Sequence, residues 1–189
     1  MNRCSMLLPI LIAPSAWTQV SDHALRFFGG GANQQDRVRI PIDDDAPGPN
    51  ASTPCDLGAG SFTVEFWLRG ERADNPAPRS TPGDHFDFRW IEGHVIVDRD
   101  IFGGSEADWG LSLAGGRVRF GTGRGANLLD PEHTLEGAID VLDGQWRHVA
   151  ATRDALTGIK RIIIDGALDV QSAPGVSLDD LSYPDQGVP

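Results

Sequence analysis

Basic charge is scarce in this chain. Its 189 residues carry 16 lysine and arginine side chains against 27 acidic ones, a formal net charge of −11, and Lys160 is the sole lysine. That balance argues against a nucleic-acid or anionic-membrane partner, since either needs a basic face. Glutamate is scarce too, 6 against 21 aspartates, and aspartate suits turns and oxygen-ligand metal sites better than helix interiors. No apolar run approaches the ~20 residues that carry a helix across a bilayer. No window supports a long amphipathic helix, and 23 glycines and 13 prolines without period exclude collagen and oppose a mostly helical fold. The 40% hydrophobic content is ordinary for a globular domain and too high for wholesale disorder.

The apolar run Met6–Ala13 follows Arg3 and precedes the small residues Ser15 and Ala16. A positive start, about ten apolar residues and a small-residue exit are the layout of a secretory signal peptide. The expectation is a leader over 1–16 and one domain over 22–189, placed outside the cell, at its surface or in a periplasm. Loss of the leader takes Arg3 and Cys4 with it and leaves Cys55 alone, so a disulfide-stapled framework is excluded. Cys55 has no basic cluster beside it in sequence to lower its pKa and reads as an inert thiol. Asn50-Ala51-Ser52 matches a glycosylation sequon, which has meaning only in a host with the machinery.

Beyond the leader the period is two. Phe62, Val64, Phe66 and Leu68 alternate with Thr63, Glu65, Trp67 and Arg69. Val38, Ile40 and Ile42 alternate with polar partners, as do Trp109, Leu111 and Leu113, then Val118 and Phe120. Each pattern predicts a half-buried strand. Ala114-Gly115-Gly116 and Asp165-Gly166 predict tight hairpins, and Asp143-Gly144 a turn into a strand over Trp146–Arg153. Residues 70–93 and 124–137 read as long loops, the first with one short strand over Phe86–Ile91, and Gly121–Gly125 reads as a flexible turn. Roughly nine to eleven short strands with turn signals every eight to twelve residues predict an all-β, antiparallel two-sheet sandwich.

Several of these segments, in order, resemble laminin-G-like domains of the concanavalin A-like jelly-roll class. They are Ala24-Leu25-Arg26-Phe27, Val38-Arg39-Ile40-Pro41, Phe62-Thr63-Val64-Glu65-Phe66-Trp67, Trp109 through Gly121, Asp143-Gly144-Gln145-Trp146-Arg147-His148-Val149-Ala150, and Ile163-Ile164-Asp165-Gly166. The resemblance spans about Ala24 to Val170 and implies a jelly-roll sandwich. It also implies a strand-and-glycine segment and a closing strand beyond the Asp-Gly hairpin. Neither is present before Pro189, so the expectation is a domain incomplete at its C-terminus. Within the resembling motif, Trp146 is expected to cap one end of the core with its indole N–H on a backbone partner. His148 is expected to be structural.

Retaining glucan hydrolases of this class carry Glu-x-Asp-x-x-Glu on one strand, two carboxyls about 5 Å apart acting as nucleophile and acid/base. Here Glu106-Ala107-Asp108 is followed by Leu111 where the second glutamate belongs, which argues against hydrolysis. The expected role is recognition of a carbohydrate or an extracellular protein, with a structural spacer as the alternative. Trp90 and Phe102, in or beside the loops, are the candidate ligand-stacking aromatics. Asp98 and Asp100, on a connection rich in glycine and shared with Glu106 and Asp108, are candidate Ca²⁺ ligands, because calcium collects carboxylate and backbone oxygens. The resemblance supplies no metal site that this sequence reproduces.

Overall fold

The computed structural model describes residues 25–27, 38, 57–58, 60–76, 90–99, 107–124 and 133–181. By backbone proximity the chain divides into a unit over 1–39 and a unit over 40–189. Of the first, the described residues Leu25, Arg26, Phe27 and Val38 are exposed. The expected leader, Cys55, Asp100 and Phe102 lie outside the described residues.

The second unit is all-β, with two antiparallel four-stranded sheets among its described residues. The first sheet orders β1 (Phe62–Leu68), β6 (Arg147–Asp154), β7 (Ile159–Ile164) and β8 (Ala167–Gln171). The second orders β2 (His94–Arg99), β3 (Ala107–Ala114), β4 (Arg117–Arg124) and β5 (Thr134–Glu136). This is the sandwich that the period-two pattern predicts. The inner row of β1 meets Ala151 and Val149 of β6, while Leu111, Leu113, Val118 and Phe120 face them from the second sheet as one core cluster. Phe62 anchors it, its ring 5.1 Å from that of Trp109 and 6.2 Å, edge-on, from that of Phe120.

Both expected hairpins form. Gly115 and Gly116 adopt positive φ between β3 and β4, and Asp165 and Gly166 do so between β7 and β8 at 51° and 80°. Three expectations change. Trp90 and Ile91 lie in a 3-10 turn over Trp90–Glu92 rather than in a strand. Residues 134–136 form β5 rather than loop, held by ladder bonds to β4 and by an Arg119–Glu136 ion pair of 2.9 Å. Gly121 to Arg124 continue β4 rather than forming a flexible turn.

The last change shares a cause with the first. Gly110 and Gly121 are cross-strand partners, and a Cβ on either would lie within 2.1 Å of the Trp90 ring. The paired glycines pave a bare patch of sheet backbone on which a whole indole rests, so glycine here makes room rather than flexibility.

Candidate ligand-binding face

The opposite surface of the first sheet takes shape from its register. Trp67 faces His148; Glu65 faces Ala150, which faces Ile163, which faces Leu168; Thr63 faces Thr152, which faces Arg161, which faces Gln171. Because side chains alternate along a strand, these three cross-strand rows share one face, and the apolar row of β1 is committed to the core behind it.

Trp67 is 64% exposed. Its indole rests against the His148 imidazole with ring centroids 5.3 Å apart and planes inclined by 54°. His148 Nε2 lies 3.6 Å from a Glu65 carboxylate oxygen. The imidazole is thus braced on two sides, and it in turn supports one edge of the indole.

Beneath His148 the backbone is pinned. Its N–H donates to Asp165 Oδ1 at 2.9 Å, and its carbonyl accepts from the Asp165 N–H at 2.9 Å. Arg147, next along β6, donates Nη1 to Asp165 Oδ2 at 2.7 Å and pairs through Nη2 with Asp143. Hydrogen bonding from Arg147 holds both carboxyls below the usual aspartate range. One guanidinium therefore ties the Asp143-Gly144 turn to the β7–β8 hairpin and fixes the strand that presents His148.

The third row borders a shallow depression lined by Ser61, Thr63, Thr152, Asp154 and Arg161. Arg161 Nε donates to Gln171 Oε1 at 2.7 Å, and Asp154 accepts from Thr157 Oγ1 at 2.7 Å. Trp67 and Thr63 are four residues apart, roughly 13 Å along an extended strand. An aromatic platform and a set of hydroxyl, amide and guanidinium groups thus occupy two ends of one face.

The residues expected from sequence fall elsewhere. Trp90 is 1% exposed. Both its loop position and its ring are committed to the second sheet, so as it stands it offers no surface to a ligand from solvent. Asp98 is exposed on β2, in register with Gly110, whereas Asp108 is 3% exposed and lies 3.8 Å from Arg99. Among the described residues no group of three or more His, Cys, Asp or Glu side chains is placed to hold a metal ion. Trp146 is half exposed and does not cap the core; Val141 and Leu142, beside the same turn, fill that part instead. Trp67 is the one tryptophan on the polar side of the β1 alternation, a signal carried by the sequence on a strand rather than in the loops.

A family model described as the concanavalin A-like lectin/glucanases superfamily, of the laminin-G type, matches residues 43–184. No curated protein matches the chain. Among solved structures, the binding domain of Paraclostridial Mosquitocidal Protein 1 is similar at 16% identity and a TM-score of 0.34, over 65% of this chain and 28% of that one. Among the described residues no helix is long and apolar enough to cross a membrane.

Proposed function

The chain belongs to the concanavalin A-like lectin/glucanases superfamily, and from that premise we propose that it is a non-catalytic recognition module, exported from the cell, that binds a carbohydrate or an extracellular protein. The observation that carries this reading is Trp67, 64% exposed on a sheet face with its indole braced by the tilted His148 ring. Large exposed aromatics rimmed by polar groups are what recognition surfaces use.

The same superfamily includes hydrolases, and two features of this chain support the non-catalytic reading. Asp108, the middle acid of the half-motif beside the possible nucleophile Glu106, is buried against Arg99. Leu111, at the position of the missing acid, is fully buried in the core. A pair of carboxyls flanking a glycosidic bond is not assembled from these residues.

Calcium assistance at Asp98 and Asp100 is a separate part of the proposal. Its support is two carboxylates one residue apart beside a glycine-containing connection. Calorimetric titration with Ca²⁺ tests it: heat and a raised melting temperature support it, and their absence removes it.

The test of the main reading is a binding screen of the immobilised chain against arrayed glycans and extracellular-matrix proteins, with reducing-sugar release assayed in parallel. Saturable binding without sugar release supports it. Failure to bind any of them favours a spacer module, and release of sugar ends the non-catalytic reading.

A further inference from the structure

We propose that the solvent face of β1, β6 and β7 binds a neutral oligosaccharide lengthwise along the strands, with the Trp67 indole stacked on one pyranose ring and the Thr63, Thr152, Arg161 and Gln171 row hydrogen-bonding a further sugar. The inference rests on the recognition reading above and gives it a place and a ligand chemistry.

Three observations carry it. The first is the aromatic platform. Trp67 presents an accessible ring while His148 and, through it, Glu65 hold its edge, so little side-chain freedom is lost when a second ring stacks on it. A sugar ring has an apolar C–H face that suits an indole, and hydroxyls around its rim that need polar partners.

The second is the polar row. Thr63, Thr152, Arg161 and Gln171 lie in one register line, with Arg161 steadied by its bond to Gln171. Hydroxyl and amide groups both donate and accept, which matches the dual character of sugar hydroxyls. Between the two ends the strip is lowered by Ala150, the smallest side chain in the middle row. A separation of roughly 13 Å calls for an oligosaccharide rather than a single sugar.

The third is charge. Glu65 and Asp154 outnumber Arg161 on the face, and the whole chain carries −11, so a sulfated or uronic polymer meets a net like charge. A protein partner fits less well. Trp67 and Leu168, the two strongly exposed apolar groups of this face, lie on the opposite edge strands β1 and β8 and in different rows. They make no contiguous apolar centre of the kind that anchors a protein interface.

The experiment is isothermal titration calorimetry of the full chain with neutral hexasaccharides of glucose, mannose, xylose and galactose, alongside heparin. The panel is repeated with Trp67→Ala, Trp67→Phe and Leu178→Ala, whose melting curves are recorded first. Leu178 is exposed but lies outside the three rows. The expected result is binding of at least one neutral hexasaccharide, weakened about tenfold or more by Trp67→Ala, partly restored by Trp67→Phe and unchanged by Leu178→Ala. No heat from any neutral glycan overturns the inference. So does tighter binding of heparin, or a protein ligand that depends on Trp67; either of those leaves the recognition reading standing. Glycan binding that Trp67→Ala does not affect overturns the assignment of this face.

Discussion

Lys160 stands opposite Arg153 in the β6–β7 register, and both side chains lie on the inner side of the sheet. Two cations thus share the end of a hydrophobic core. Arg153 answers with backbone: its guanidinium donates to the carbonyls of Gly58 at 2.6 Å, Gly60 at 3.2 Å and Ser177 at 3.1 Å, and to that of Asp179. Lys160 Nζ reaches across to the other sheet, donating to the carbonyls of Phe120 and His133, and sits 5.5 Å over the Phe120 ring. Carbonyl dipoles and a ring face satisfy the donors of these buried cations, but they do not cancel the charge.

Burial, with Arg153 adding repulsion, pushes the Lys160 ammonium down to about 7 from the ordinary lysine value of 10.5. The unfolded chain therefore binds more protons than the folded one between about pH 7 and 10.5, and stability rises with pH across that window. The contribution is on the order of a few kcal/mol. Urea denaturation at pH 7 and pH 9.5 will show the higher midpoint at pH 9.5, and Lys160→Met will flatten the difference. Equal midpoints for the wild type would contradict the burial of this amine.

The paired glycines under Trp90 set a second expectation. Gly121→Ala places a methyl group 1.8 Å from Trp90 Cδ1, so the ring must leave its seat. Overpacking of this kind costs roughly 1–3 kcal/mol. Thermal denaturation will show a lowered midpoint, and the buried indole's fluorescence will shift toward the exposed position.

Arg147→Ala removes the hydrogen bonds that depress Asp143 and Asp165. Carboxyl titration followed by NMR will show both moving up toward 3.8. Each depressed carboxyl supports the fold above its unfolded pKa, and the support is lost as pH falls through the folded value. The variant will therefore show a shallower loss of stability on the acid side than the wild type.

Asp108→Asn separates structure from chemistry. With Arg99 and Asp108 both almost fully buried, loss of the Asp108 charge weakens the support of a buried guanidinium, a cost on the order of 3 kcal/mol. The melting temperature will fall, and no glucan-hydrolysing activity will be found in either protein.

The two-sheet fold was legible because alternation is a local signal. The row Phe62, Val64, Phe66, Leu68 and the Asp165-Gly166 hairpin state their own conformation within a few residues. β5 was not legible: three residues, Thr134–Glu136, are too short for a period, and they are strand because Arg119, seventeen positions before Glu136, offers it a buried partner. Trp90 was misplaced for the same reason, since its burial depends on Gly110 and Gly121 lying side by side, a fact of register rather than sequence. The face around Trp67 was half legible. Its alternation assigned the side chain to the outside, but His148 joins it only through the β1–β6 pairing.

The most direct test of the binding account is residue-level mapping of the occupied surface by NMR, using whichever ligand the screens identify. The account predicts that shifts on ligand addition concentrate at Trp67, His148, Ala150, Thr152 and Arg161. Shifts concentrated instead around Asp98 and the connection to β3, with the β1–β6 face silent, would contradict it.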